Sequence, residues 1–97
     1  MALKIRWSPR AISNLEEICD YISKDSRYYA LVLARRIISI IESIPLFPES
    51  GRMVPEYQSQ ILREKIYKGY RIVYRIKSDC IEVVAISHGA KLLDDIL

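Results

Sequence analysis

The sequence is poor in the residues from which metal sites are usually built. It has one histidine, His88, and two cysteines, Cys19 and Cys80, which stand 61 positions apart. Because no Cys and His residues cluster at the short spacings of a zinc site, we expect no metal and no cofactor. Both cysteines are expected to be reduced thiols, as is usual in a cytoplasmic protein.

Long apolar runs are also missing. No segment approaches the ~20 apolar residues that span a bilayer, and the N-terminal stretch MALKIRWSPR lacks the apolar core of a signal peptide. We therefore expect a soluble, cytoplasmic protein with no membrane partner. A chain of 97 residues suits a single domain, 1–97, with one modest core.

A strong charge of either sign is absent as well, since the formal net charge is only +3. The basic excess is nevertheless uneven. Residues 51–91 carry eight Lys and Arg against four Asp and Glu, whereas residues 1–50 carry seven against six. Such an excess favours an acidic partner, either nucleic acid or an acidic protein segment, and composition does not choose between them.

The first half of the chain has the pattern of a short strand followed by two helices. Residues 3–7 alternate, and Ser8-Pro9 is a typical helix start, with a serine cap and a proline at the first helical position. Apolar spacings of three and four carry this helix to about Lys24. Asp25-Ser26 caps a second amphipathic helix, which ends at Pro45. A short link between two such helices predicts an antiparallel helical hairpin.

The second half has the pattern of a β-meander. After a loop of about sixteen residues, which is either functional or a simple connector, three strands are predicted at Ile61 to Tyr67, Tyr70 to Ile76 and Cys80 to Ser87. Lys68-Gly69 forms the two-residue hairpin turn. The order β-α-α-β-β-β predicts an α+β fold, with the helical hairpin packed on one face of an antiparallel sheet and the other face uncovered.

The two-residue turn determines which side chains share a face, because cross-strand partners point to the same side. The set predicted to face the helices is the more apolar one: Lys65, Tyr67, Tyr70, Ile72 and Tyr74. The set predicted to be exposed is Leu62, Glu64, Ile66, Arg71, Val73 and Arg75. Within the exposed set, two arginines and one carboxylate make either a structural ion-pair cluster or a partly neutralised anion site.

The stretch GYRIVYRI, followed further on by SHGAK, resembles the RelE/ParE superfamily of bacterial toxins from type II toxin–antitoxin modules. The opening IRWSPRAISNLEEICDYI is similar to the N-terminal strand and first helix of these toxins, and PLFPESGR is similar to the loop before their sheet. The resemblance implies a helical hairpin on a sheet. It also implies a cognate antitoxin whose extended C-terminal segment wraps the toxin in a hetero-oligomer.

Two target classes divide this superfamily. RelE-like members cut mRNA on the ribosome, whereas ParE-like members bind and block DNA gyrase. This sequence has Leu62 and Glu64 where the nucleases have two lysines, and it lacks their terminal tyrosine. The resemblance therefore favours a ParE-like gyrase inhibitor from a plasmid-stabilisation module. The alternatives are a RelE-like ribosome-dependent endoribonuclease, and an inactive relative that retains only antitoxin binding.

The resemblance also supplies candidate site residues. For a RelE-like nuclease the catalytic candidates are Arg71, which matches the GYR arginine, together with Glu64, His88 and Lys91. His88 is the only imidazole and would serve as acid or base near neutral pH; otherwise it is a turn residue bonded to local backbone. The contacts predicted for the antitoxin or the target are Arg63, Arg71, Arg75, His88 and Lys91.

A rival interpretation is a module that binds nucleic acid directly. Basic residues are interleaved with Tyr67, Tyr70 and Tyr74, and aromatic rings of this kind stack on bases. That interpretation requires the rings to be exposed, whereas the register given above places all three on the core side of the sheet.

Overall fold

The computed structural model describes residues 3–89, which form a helical hairpin and a five-stranded sheet. In chain order the elements are β1 (Lys4–Trp7), α1 (Pro9–Ser23), α2 (Arg27–Ser43), β2 (Arg52–Met53), β3 (Leu62–Tyr67), β4 (Tyr70–Ile76) and β5 (Cys80–His88). Two single turns of 3₁₀ helix, Ile44–Leu46 and Pro48–Ser50, follow α2. The predicted α+β class is confirmed. Neither helix is long and apolar enough to span a bilayer within the described residues.

Both helices begin at the serines predicted to cap them. The Ser8 hydroxyl accepts a hydrogen bond from the backbone N–H of Ala11 at 3.0 Å, and Pro9 occupies the first helical position. The Ser26 hydroxyl accepts from the N–H of Tyr29, also at 3.0 Å. Each cap pairs one of the backbone donors that a helix start leaves without an intrahelical partner. The helix boundaries therefore follow from local sequence.

The sheet order is β1-β5-β4-β3-β2, and its three central strands form the predicted meander. The turn residues Lys68 and Gly69 have φ of 48° and 81°, as a tight two-residue hairpin requires. The prediction of a wholly antiparallel sheet needs correction at one edge, and the other edge carries an antiparallel strand that was not predicted. β1 pairs with β5 in parallel, and residues 52–53, predicted as loop, pair with β3. Alternation identifies a strand, but it does not identify the neighbour of that strand.

The helices bury their apolar stripes on one side of the sheet, which we call the helix face. The main core cluster contains Ala11, Leu33, Ile37, Ile41, Tyr70, Ile72, Val83 and Ile86. On β4, Tyr70 and Tyr74 lie on this face and are at most 8% exposed, so the predicted core side of the hairpin is confirmed. Their burial removes two of the rings on which base stacking depended.

The opposite side of the sheet, the outer face, is covered over β3 and β4. The prediction that no element covers this face is wrong. Residues 54–60, which we call the covering segment, fold back across it after the chain has passed round the sheet edge as β2. Val54 is fully buried in a cluster with Leu62, Val73, Val84 and Ala85. These outer-face side chains are apolar, and the covering segment removes their surface from water.

Tyr74, on the helix face, holds the backbone of residues 48–51, which lead into β2 and the covering segment. Its buried hydroxyl donates a hydrogen bond to the Pro48 carbonyl at 2.6 Å and accepts one from the Gly51 N–H at 3.0 Å. Burial raises the pKa of Tyr74, so the donor proton is retained at neutral pH. A Cβ at Gly51 would lie 2.6 Å from the Tyr74 hydroxyl oxygen and 2.7 Å from the Glu64 carbonyl oxygen. Tyr74 and the β3 backbone approach position 51 so closely that this position requires glycine.

The Tyr74→Phe substitution is expected to lower the free energy of unfolding by about 1–3 kcal/mol, because it leaves the buried N–H of Gly51 without its acceptor. Urea denaturation measures the shift as a lower midpoint at an unchanged slope. The matched control is Tyr28→Phe, whose ring is 78% exposed and whose effect should stay within about 0.5 kcal/mol. Equal midpoints for the two variants would contradict the assigned role of the Tyr74 hydroxyl.

Candidate functional site

Among the described residues, four charged side chains form a network that joins the outer face of the sheet to the covering segment. Glu64 on β3 has no exposed side-chain surface, and its two oxygens accept hydrogen bonds from Arg71 Nε at 2.7 Å and Arg52 Nε at 2.6 Å. Arg71 also donates from Nη1 and Nη2 to both oxygens of Glu56, at 2.9 and 2.8 Å. Arg71 thus joins a carboxylate of the sheet to a carboxylate of the covering segment.

Strand pairing explains how these side chains meet. Arg52 lies directly opposite Glu64 across the β2–β3 ladder. Arg71 lies opposite Ile66, so it is the diagonal neighbour of Glu64 on the same face. Glu56 comes from the covering segment, fifteen positions before Arg71, and no local pattern in the sequence marks it as a partner. The sequence pattern therefore indicates Arg71 and Glu64 as site residues but not Arg52 and Glu56.

Hydrogen bonding favours the charged form of Arg71. The bidentate hydrogen bonds to Glu56 raise the pKa of Arg71 above its ordinary value, Glu64 adds to this, and desolvation opposes it. The Arg71 side chain is only 10% exposed, and a charge buried to that degree requires paired partners. Among the described residues, the two arginines and two glutamates of this network have formal charges that sum to zero. Of the two interpretations open from the sequence, the structural ion-pair cluster describes Arg71, and an external anion would have to compete with Glu56 for its guanidinium group.

Arg75 does not belong to this network. Its Nη1 donates to Glu82 Oε1 at 2.9 Å, and Lys77 Nζ lies 3.5 Å from the same oxygen. The Arg75 side chain is 21% exposed and Lys77 is 40% exposed. The two arginines predicted to act together are therefore divided between two ion-pair groups along β4.

Arg63 binds backbone carbonyls before β2 and at the end of the covering segment. Its Nε donates to the Gln60 carbonyl at 2.9 Å, and its Nη1 donates to the carbonyls of Gly51 at 2.9 Å and Glu49 at 3.3 Å. These contacts give Arg63 a structural role that the sequence did not indicate. Its predicted contact with an antitoxin or target remains a prediction.

His88 lies apart from the outer-face network. It ends β5 as the cross-strand partner of Tyr70, with ring centroids 4.4 Å apart, and it is exposed on the helix side of the sheet. Arg71 and Glu64 lie on the outer face, so the structure does not bring these three nuclease candidates together. The fourth candidate, Lys91, lies outside the described residues.

A separate feature is an apolar groove of about 370 Å³ on the helical hairpin. It is lined by Trp7, Ile12, Leu15, Cys19 and Ile38, with the acidic residues Glu16 and Asp20 among its lining. Ile12 and Ile38 belong to the apolar faces of their helices and yet remain 46% and 38% exposed. Burial, with a contribution from Asp20, raises the pKa of the Cys19 thiol, so it lines the groove in its neutral form. The apolar faces of α1 and α2 are therefore wider than the sheet surface that they pack on, and their margins stay exposed.

Comparison with known proteins identifies related sequences over almost the whole chain. Residues 5–93 match the family described as "ParE toxin of type II toxin-antitoxin system, parDE". "Toxin RelE2" of Caulobacter vibrioides is 31% identical over 90 residues, which cover 92% of this chain and 98% of that protein. "Putative toxin Y4kP" of Sinorhizobium fredii is 33% identical over 88 residues, covering 89% and 88% respectively.

Two solved structures share the fold. A chain of the chromosomal ParDE toxin–antitoxin system from P. aeruginosa matches with a TM-score of 0.75 at 18% identity, covering 91% of this chain and 97% of that one. A chain of the RelBE2 toxin–antitoxin complex from Mycobacterium tuberculosis matches with a TM-score of 0.53 at 14% identity, covering 91% and 99%. At these identities the likeness concerns the fold alone, and it confirms the predicted RelE/ParE-like architecture.

The Arg71→Leu substitution is expected to lower the free energy of unfolding by about 3 kcal/mol, because it leaves buried Glu64 with one cation fewer. In the double variant Arg71→Leu/Glu64→Leu much of that loss should return, since apolar side chains replace a buried ion pair at little net cost. Urea denaturation of both variants provides the measurement.

Arg75→Leu is the matched control for this series, because it removes an arginine from the same strand. Its partly exposed pair with Glu82 should contribute less than about 1 kcal/mol. An Arg71→Leu variant as stable as Arg75→Leu would show that the network does not hold the covering segment.

Proposed function

Because the chain belongs to the ParE toxin family of type II toxin–antitoxin systems, we propose that it acts on DNA gyrase and that a cognate antitoxin neutralises it by direct binding. The single observation that carries the choice of target is the buried state of Leu62 and Glu64. These residues occupy the strand positions at which RelE-like nucleases are expected to present lysines. Leu62 is 1% exposed, and Glu64 is enclosed in the Arg71 network.

The chemistry of RNA cleavage gives the physical reason. Attack by a 2′-hydroxyl needs a proton acceptor at the nucleophile and positive charge at the developing phosphorane. Glu64 already accepts hydrogen bonds from two arginines, and Leu62 carries no charge. Arg71 is bonded to two carboxylates, and His88 lies on the other side of the sheet. Among the described residues, the Arg71 network therefore offers no available base beside an available cation.

RelE-like mRNA cleavage is the second candidate. Its support is the 31% identity to a protein named Toxin RelE2, together with the arginine of the GYR motif, Arg71. An inactive relative that binds only an antitoxin is the third. The three functions predict different results for the purified chain in assays of supercoiling, mRNA cleavage and antitoxin binding, so these assays distinguish them.

Antitoxin binding is proposed to use the apolar groove of the helical hairpin. Ile12 and Ile38 expose apolar surface there, and a concave apolar groove between elements suits the apolar side of an amphipathic partner segment. Arg63, Arg71, Arg75, His88 and Lys91 remain the predicted polar contacts of the antitoxin or the target. Of these, Arg75 and His88 are more accessible than Arg71, because Arg71 is held by Glu56.

The target is tested by adding the purified chain to a gyrase supercoiling assay and, in parallel, to translating ribosomes. We expect loss of supercoiling, reversed by the product of the neighbouring open reading frame, and no new cuts in the mRNA. Cuts in ribosome-bound mRNA with normal supercoiling would replace the proposal by the RelE-like function. Absence of both effects, with intact antitoxin binding, would leave the inactive relative.

The Ile38→Asp substitution is expected to weaken antitoxin binding by roughly 30-fold, the factor that corresponds to ~2 kcal/mol for an apolar anchor. A charge at this position would be desolvated in the groove without a partner. Ser39→Asp is the matched control, because it adds the same charge at the next, exposed position of α2. Isothermal titration calorimetry measures both affinities, and equal affinities would place the antitoxin outside the groove.

A further inference from the structure

The outer face has a basic region on the side of the sheet that carries β1. Along this strand, Ile5 and Trp7 pack against the core beneath the helices. Because side chains alternate along a strand, Lys4 and Arg6 project to the outer face. Both are exposed.

The neighbouring strands extend this basic region. Arg6 lies directly opposite Glu82 on β5, and Glu82 lies directly opposite Arg75 on β4. Arg75 and Lys77 both form ion pairs with Glu82. We call Lys4, Arg6, Arg75, Lys77 and Glu82 the edge strip. These five side chains have formal charges that sum to +3, and Asp79, in the turn next to Lys77 and Lys4, adds one negative charge at the end of the strip.

The spacing of the cations suits a regular row of negative charges. Arg6 and Arg75 are separated by two inter-strand steps, which is about 10 Å, and Lys4 and Arg6 by two residues along one strand, which is about 7 Å. Their positions are fixed by backbone pairing and not by a loop. The strip therefore presents several positive charges on a rigid surface.

The exposed apolar side chain nearest in the backbone pairing to the strip is Ile61, whose carbonyl accepts a hydrogen bond from the Ile76 N–H, and the strip has few other anchors for a protein partner. Among residues 3–89, none of the large apolar side chains that are exposed belongs to β1 or β5. The exposed Ile66 shares the outer face, but its partner Arg71 lies four positions along β4 from Arg75, a separation of about 13 Å. Protein interfaces draw most of their affinity from a few buried anchors, most often Trp, Tyr and Arg, and of these three only Arg is exposed on the strip. A phosphate backbone requires only suitably placed cations.

Single-stranded nucleic acid is also a poor match, because it stacks its bases on aromatic rings. The exposed tyrosines among the described residues are Tyr21, Tyr28 and Tyr29, and all three belong to the helices. We propose that the edge strip binds the phosphate backbone of duplex DNA. The choice of DNA over duplex RNA rests on the proposed action on gyrase, an enzyme that holds DNA.

Glu82 has a defined part in this proposal. It neutralises one of the four cations and holds Arg75 and Lys77 to itself, so it competes with a phosphate for both. Removing its charge while keeping its shape, as in Glu82→Gln, is expected to strengthen DNA binding. A purely structural role for the Glu82 ion pairs predicts no such gain.

The test is fluorescence anisotropy of the full chain with a labelled 20-base-pair duplex across a range of salt concentrations. If three or four phosphates are neutralised, log K should fall against log salt with a slope of about −3. Lys4→Ala/Arg6→Ala should reduce that slope by about 2 and weaken binding about tenfold or more at low salt. Arg35→Ala/Arg36→Ala, with the same change of charge on exposed positions of α2, is the matched control and should leave the slope nearly unchanged.

Circular dichroism of each variant checks that the fold is intact. The proposal is overturned if the two double variants bind DNA equally, or if Glu82→Gln does not strengthen binding. It is also overturned if Lys4→Ala/Arg6→Ala lowers affinity for the antitoxin and leaves DNA binding unchanged, which would assign the strip to a protein partner. Because DNA binding is measured without gyrase, this result is independent of the supercoiling assay.

Discussion

The outer face depends on one guanidinium group that binds two carboxylates at once. Arg71 neutralises Glu64, which has no exposed side-chain surface, and it holds Glu56 of the covering segment through two parallel hydrogen bonds. The covering segment brings the apolar Val54 onto the sheet together with the acidic Glu56. Displacing the covering segment would expose the apolar side chains around Val54 and would also break the ion pair between Arg71 and Glu56. Apolar burial and charge pairing on this face therefore depend on each other.

This arrangement changes the chemical meaning of the family motif. An arginine on an open sheet is an anion site, whereas an arginine that already binds a carboxylate of its own chain is part of the scaffold. The chain keeps the arginine of the GYR motif but satisfies it internally. On the outer face, the exposed positive charge is instead located on β1 and at the far end of β4, where Glu82 neutralises one cation among four. The arginine of the GYR motif and the exposed cations of the outer face therefore lie on different parts of the same sheet.

The sequence predicted the features that depend on neighbouring residues. Ser8 and Ser26 cap the helices, Lys68-Gly69 makes the hairpin turn, and alternation places Tyr70 and Arg71 on opposite faces. The parallel pairing of β1 with β5, strand β2 and the covering segment were not predicted. Each of these depends on contacts between residues distant in sequence. The ion pair of Glu56 with Arg71 was not predictable for the same reason, because it forms only after the chain has turned round the sheet edge.

β1 brings the two proposed binding surfaces together. Trp7 lines the apolar groove, and the adjacent Arg6 belongs to the edge strip, so consecutive residues serve opposite sides of the sheet. Among the described residues β1 is the outermost strand on its side. A ligand confined to the groove would leave the strip accessible, whereas one that continues past β1 would cover both. Competition between antitoxin and duplex DNA would therefore reveal whether the antitoxin passes this strand, since only a ligand that crosses it can displace the DNA.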